Sequence, residues 1–154
     1  MPLQRLSVMV AALWWGGITG LSFVAVPTLF ASLGSPAVAG PVAARLFSLQ
    51  CWAGLALGLV LMLILRRQRH ALSREVSAES VEALKTLLFS MLLVALAAVL
   101  AMCQEFIVAG QIVSARATGG NLRLWHGLGS AMVLAQWLCA GAVLWRLTRP
   151  AVRP

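Results

Sequence analysis

Four long apolar runs, almost free of charged residues, make up most of this chain. A run of about 20 apolar residues is long enough to cross the hydrocarbon core of a bilayer as an α-helix. A helix also satisfies its backbone hydrogen bonds internally, as lipid requires. The sequence therefore predicts an all-α integral membrane protein, an up-down bundle of four transmembrane helices in one membrane domain, 1–154. The predicted spans are approximately 6–33, 46–65, 86–113 and 124–147.

The composition agrees with a membrane protein and leaves little chain for a soluble module. Only 10% of the residues are charged, against about 25% in a typical soluble domain. The main polar stretch, 66–85, is predicted to be a cytoplasmic loop. The formal net charge is +8, but the basic residues are scattered over loop ends without aromatic residues between them. This pattern argues against nucleic-acid binding, and the predicted partner is the lipid bilayer.

Lysine and arginine residues are distributed unevenly between the two ends of the predicted bundle. The N-terminus, the 66–85 loop and the C-terminal tail together carry nine of them. The opposite end carries three, Arg45, Arg116 and Arg123. Because cytoplasmic loops are enriched in Lys and Arg, both termini are predicted to be cytoplasmic, in a bacterial inner membrane.

Small residues at four-residue spacing predict close contacts between helices. Gly16 and Gly20 form a GxxxG pattern in the first run, and Gly54 and Gly58 repeat it in the second. Such faces let helices approach closely in lipid, where packing drives association. Because these faces exceed what one compact bundle needs, the sequence predicts a homo-oligomer.

Three irregularities are predicted along the chain. Pro27 lies inside the first run and has no N–H group, so a kink or an early helix end is expected there. Residues 34–41 are rich in Gly and Pro and are predicted to form a turn. The length of the third run predicts either a helix that projects beyond the bilayer or a bend near Gly110.

Glu105 is the one acidic residue outside residues 75–82, and it lies inside an apolar run. A carboxylate at the bilayer centre costs about 2.5–3.5 kcal/mol on insertion scales, so Glu105 is expected to pair with a basic group. The topology places four basic residues at the same end of the bundle as Glu105, namely Arg45, Arg116, Arg123 and His126. This cluster could bind a ligand, relay protons or only fix the helix register. The predicted ligand-binding residues are Glu105, His126, Arg45, Arg123, Arg116 and Gln104.

Several short motifs resemble those of a known family of small membrane proteins. The motifs are Trp15-Gly16-Gly17, Val26-Pro27-Thr28-Leu29-Phe30, Ala39-Gly40-Pro41-Val42, Arg45-Leu46-Phe47 and Arg123-Leu124-Trp125-His126-Gly127-Leu128-Gly129-Ser130. Together they resemble the motifs of transmembrane protein 205 and its bacterial relatives. The resemblance implies a four-helix membrane protein of undefined biochemistry, and it transfers no catalytic residue.

Three hypotheses for the function remain open. The first is a ligand-binding or transport-related membrane protein that uses the cluster around Glu105. The second is a structural or accessory membrane subunit without chemistry of its own. The third is a redox protein, with haem on His126 or with zinc or copper held by Cys51, Cys103, Glu105 and His126. No local spacing supports such a site, so no metal and no cofactor are predicted.

Enzymatic activity is not favoured by the sequence. It contains no nucleophile–base arrangement, no phosphate-binding loop and no HExxH motif. The three cysteines all lie inside apolar runs, and their odd number argues against a disulfide framework.

Overall fold

The computed structural model describes residues 2–72 and 78–149, and nearly all of them are helical. Two of the helical spans contain a short π-helical segment, in which the turn is wider than in an α-helix. We label the α-helices α1–α6 and the wider segments π1 and π2. The elements are α1 (Pro2–Thr19), π1 (Gly20–Ala25), α2 (Val26–Leu33), α3 (Pro36–Leu72), α4 (Ala78–Cys103), π2 (Gln104–Val108), α5 (Ala109–Thr118) and α6 (Leu122–Thr148).

These elements join into four helical spans that are long and apolar enough to cross a membrane. α1 and α4 each pack against both α3 and α6, so consecutive spans are neighbours and run in alternating directions. The predicted all-α, up-down bundle of four helices is thereby confirmed. The spans, numbered 1 to 4, are Leu3–Leu33, Pro36–Leu72, Ser80–Thr118 and Leu122–Thr148.

Two short turns close one end of the bundle, which we call the turn end; the opposite end is the terminal end. Gly34 and Gly119 follow helices with φ values of 61° and 75°, a conformation that glycine adopts without steric cost. The predicted turn over residues 34–41 is too long, because α3 begins at Pro36 and includes Pro41. The fixed φ of proline suits the first helical position, so the helix starts early.

At the terminal end, the helices continue beyond the apolar runs. α3 reaches Leu72 and α4 begins at Ala78, so part of the predicted loop 66–85 is helical. Residues 73–77 lie outside the described part of the chain. Run length reports only the apolar part of a helix, and polar residues with good helix propensity extend it.

The tightly packed core lies in the terminal half of the bundle. Trp14, Leu61, Val94 and Val143, one from each span, are at most 4% exposed and belong to one buried apolar cluster. Gly54 lets the Trp14 ring approach α3, since a Cβ at Gly54 would lie 3.1 Å from the indole nitrogen. The small-residue face of span 2 is therefore used inside the bundle.

The small-residue face of span 1 is not used in this way. A Cβ on Gly16 or on Gly20 would have no atom within 4 Å, and both residues are exposed. This face is therefore free for contacts outside the bundle, and the homo-oligomer stays a prediction.

Both π segments interrupt their spans near residues that already suggested an irregularity. π1 ends just before Pro27, so the expected interruption takes the form of a widened turn, after which the helix resumes as α2. Proline cannot donate a backbone hydrogen bond, and its ring crowds the preceding turn. In span 3 the irregularity is π2, which precedes Gly110 rather than lying at it.

Candidate functional site

A cavity of about 870 Å³ lies between the two helical hairpins in the turn half of the bundle. There α2 packs against α3 and α5 packs against α6, whereas the buried core that joins the hairpins lies in the terminal half. All four spans contribute lining residues. The volume falls in the range of small-molecule sites, about 300–1,000 Å³.

The lining has a floor near the middle of the bundle and a mouth at the turn end. Glu105 and Arg116 both line the cavity from span 3 and are about three helical turns apart, which corresponds to roughly 16 Å. The residues of the floor are Ser22, Phe23, Phe47, Ser48, Gln104, Glu105 and Trp137. Those of the mouth are Phe30, Gly40, Pro41, Arg116 and His126.

Glu105 is half-buried at the floor, and a hydroxyl group holds its carboxylate. Ser48 Oγ, from α3, donates a hydrogen bond of 2.6 Å to Glu105 Oε1. Among the described residues, the ion pair that does form joins Lys85 to Glu82, near the terminal end. The prediction that Glu105 pairs with a basic group is therefore wrong, because its partner is Ser48.

The basic candidates lie toward the turn end rather than the floor. Arg116 lies across the mouth, and its guanidinium is so close to Gly40 that a Cβ there would be 2.8 Å from Nη1. His126 lines the mouth from the start of α6. Arg45 and Arg123 are exposed and do not line the cavity. Long cationic side chains near helix ends extend toward water, which explains why none reaches Glu105.

Gln104, the remaining predicted residue, lines the floor and is fixed by a second amide. Gln136 Nε2 donates a hydrogen bond of 2.8 Å to Gln104 Oε1, and Gln136 is 5% exposed. Sequence reasoning missed Gln136, although an amide in the middle of an apolar run needs a partner. It also missed Ser48, since a single serine in an apolar run is common and carries no signal of its own.

A cluster of aromatic side chains around Trp137 closes the floor. The indole Nε1 donates a hydrogen bond of 2.9 Å to Thr19 Oγ1, and the ring stacks on Trp15 with centroids 5.7 Å apart. Phe23 packs edge-on against the same ring. The neighbouring Ser22 in π1 has a buried Oγ without a hydrogen-bond partner among the described residues. The floor thus combines a fixed aromatic surface with a polar atom whose hydrogen-bonding capacity is unused.

The four residues considered for a zinc or copper site are not gathered into one. In the part of the chain that the structure describes, no three His, Cys, Asp or Glu side chains lie close enough to hold a metal ion together. Cys51 instead donates a hydrogen bond of 3.4 Å from its thiol to the carbonyl of Ala101, one turn before π2.

The sequence that builds most of this cavity matches the model of a known family. The match covers residues 9–121, and the family is described as a domain of unknown function (DUF4149). The matched segment includes Ser48, Glu105 and Arg116. Comparison with curated proteins and with solved structures gave no match.

Proposed function

Because the chain belongs to the DUF4149 family, whose description assigns no activity, we propose a function from the cavity itself. The protein binds a small amphipathic molecule between its two hairpins, in a ligand-binding or transport role. The observation that carries this proposal is a cavity of about 870 Å³, lined by all four spans and polar at both its floor and its mouth. Apolar walls with a few convergent polar groups are typical of small-molecule sites.

The arrangement of polar side chains favours binding over a purely structural role. Polar residues that only lock helices together are expected to bond to one another, as Gln104 and Gln136 do. Glu105 also accepts a bond across helices, from Ser48, but together with Arg116 and His126 it borders open space. Ionisable residues within membrane spans commonly mark substrate pathways. The hypothesis of an accessory subunit gives no reason for these residues to surround a cavity.

The positions of the two π segments support the same proposal. π1 contributes Ser22 and Phe23 to the lining, and π2 contributes Gln104, Glu105 and Val108. π-Helical turns are rare and occur frequently at functional sites. Two of them at one cavity are expected if the widened turns present side chains to a ligand.

We place the mouth of the cavity on the outer face of a bacterial inner membrane, with both termini in the cytoplasm. The support is the distribution of Lys and Arg along the sequence, with nine residues in the N-terminus, the 66–85 segment and the C-terminal tail and three near the two turns. In this orientation the ligand enters from the outer side.

Two further proposals concern relatives and assembly. The Trp15-Gly16-Gly17 and Val26-Pro27 motifs support a relationship to the transmembrane protein 205 family. The exposed Gly16 and Gly20 support a homo-oligomer through span 1. Native mass spectrometry in mild detergent should show a dimer or larger species, and monomer alone would remove the second proposal.

A tryptophan placed in the cavity tests the proposed binding. Ser130 lines the cavity, whereas Ala131, the next residue of α6, is exposed but does not line it. Ser130→Trp is expected to weaken the binding of triphenylphosphine oxide, a neutral amphipathic probe, by about tenfold or more, because about 1.4 kcal/mol of lost contact corresponds to a factor of ten. Equilibrium dialysis with the protein in nanodiscs measures the affinity, with empty nanodiscs as background.

Ala131→Trp is the matched control, since it adds the same side chain outside the cavity and should leave the affinity unchanged. Circular dichroism and thermal unfolding verify that both variants fold. Full affinity in a folded Ser130→Trp protein would contradict the proposal.

A further inference from the structure

The carboxylate at the floor of the cavity has no counter-charge among the described residues. Glu105 accepts one hydrogen bond, from Ser48 to Oε1, and no basic nitrogen of the described residues lies within 4.0 Å of it. An unpaired charge away from bulk water is costly, and a partner of opposite charge removes much of that cost. The floor therefore favours a ligand that brings a positive charge.

The basic residues described at the turn end lie where they do not supply this charge. Arg116 is engaged at the mouth against Gly40, roughly 16 Å along the helix from Glu105. His126 lines the same mouth, and Arg45 and Arg123 lie outside the lining. The floor of the cavity is thus anionic, and its mouth is cationic.

The surroundings of Glu105 fit a large, weakly hydrated cation better than a metal ion. Ca²⁺ is usually bound by six to eight oxygen ligands, and the floor offers one carboxylate with a few hydroxyl and amide groups. Phe23, Phe47 and Trp137 also line the floor. Aromatic faces attract organic cations, and the apolar walls above them accommodate hydrophobic groups.

We infer that the ligand is a hydrophobic organic cation, whose positive charge sits against Glu105 and whose apolar groups fill the cavity toward the mouth. This inference rests on the proposed function and names the ligand class of the same cavity. Arg116 and His126 at the mouth face the part of the ligand that lies farthest from its positive charge.

A pair of probes that differ mainly in charge tests the inference. Tetraphenylphosphonium is a hydrophobic cation, and triphenylphosphine oxide is a neutral molecule of similar aromatic character. The wild-type protein in nanodiscs is expected to bind the cation about tenfold more tightly than the neutral probe, since a partly desolvated ion pair is worth at least this factor. Equal affinities of the wild type for the two probes would overturn the inference without needing any variant.

Glu105→Gln removes the charge and keeps a side-chain oxygen that accepts the hydrogen bond of Ser48. It should weaken tetraphenylphosphonium binding by about tenfold and change triphenylphosphine oxide binding far less, because the neutral probe forms no ion pair with the carboxylate. Glu82→Gln is the matched control, because Glu82 is exposed near the terminal end and pairs with Lys85. It should change neither affinity.

The outcomes separate this inference from the proposed function. If Ser130→Trp abolishes binding of both probes while Glu105→Gln keeps full affinity for the cation, the cavity binds ligands and the inference about charge is wrong. If Ser130→Trp alters neither affinity, both proposals fail. If Glu105→Gln loses affinity for tetraphenylphosphonium alone, the result supports both the proposed function and the inference about charge.

Discussion

The floor of the cavity depends, at the scale of single residues, on the hydroxyl group of Ser48. Its 2.6 Å bond to Glu105 has the short length of a charge-assisted hydrogen bond. No other side chain of the described residues donates to this carboxylate. Loss of Ser48 would leave Glu105 supported only by water or a ligand, and a lone buried charge is less stable than a neutral side chain in its place.

Ser48→Ala is therefore expected to lower the free energy of unfolding by about 1.5–3 kcal/mol, the contribution of a hydrogen bond to a charged group. Adding Glu105→Gln should recover part of this loss, because the double variant no longer contains an unpaired carboxylate. Reversible unfolding in mixed micelles measures both values.

Ser114→Ala serves as the control for this pair, since Ser114 is an exposed serine of α5 whose hydroxyl has no hydrogen bond in the described part of the chain. It should be nearly neutral. A double variant whose losses simply add would show that Ser48 and Glu105 are not energetically coupled.

Among the elements, π2 has the largest effect on the site, because it widens span 3 at Gln104 and Glu105. The Ala109 N–H bonds to the carbonyl of Gln104, five residues earlier, instead of four. Such a segment is equivalent to an α-helix with one inserted residue. The α-helical parts before and after π2 therefore face the same directions as they would in a regular helix that is one residue shorter.

Deleting Ile107, an exposed residue of π2, is expected to restore a regular helix and to leave the midpoint of thermal unfolding nearly unchanged. The same deletion should abolish probe binding, because the widened turn at the floor is lost. Deleting Val99, an exposed residue of α4, rotates every later residue of span 3 by about 100° and moves the buried Ala101 and Val108 away from the core.

The Val99 deletion should accordingly lower the unfolding midpoint more than the Ile107 deletion. Thermal unfolding followed by circular dichroism, together with equilibrium dialysis, measures the two effects. The reverse order of stabilities would mean that π2 is not a simple insertion in span 3.

For the molecule as a whole, packing density and charge divide the bundle into two halves. The terminal half is filled by the core around Trp14 and holds most of the basic residues that the structure describes. The turn half contains the cavity, and Arg45, Arg116 and Arg123 lie there. A bundle that is rigid at one end and open at the other can admit a ligand without unfolding its core.

Orientation in the membrane can be measured with single cysteines in a chain whose three native cysteines are replaced. Ala37 is exposed at the turn end and Ala71 is exposed at the terminal end. A membrane-impermeant thiol reagent added to intact cells should label Ala37→Cys, because the positive-inside rule places the turn end outside. Ala71→Cys should react only after permeabilisation. The opposite labelling pattern would reverse the proposed orientation.

The sequence by itself determined the number of helices and their alternating directions. It also determined that the polar residues of the candidate site lie toward the turn end of the bundle. These properties depend on run length and on Gly and Pro in turns, which are local. It also selected Gln104, Glu105, Arg116 and His126, which the structure brings to one cavity. Their role as ligand-binding residues stays a prediction.

Only the tertiary structure decided which side chains meet inside the bundle. Ser48 rather than an arginine contacts Glu105, and Arg45 and Arg123 lie outside the cavity. The sequence also did not reveal the two π turns that widen the floor. The physical reason is that the rotation of each helix about its axis is set by the packing of all four helices together. Because a side chain reaches only a few residues around it, its partners are the side chains that this packing brings close to it.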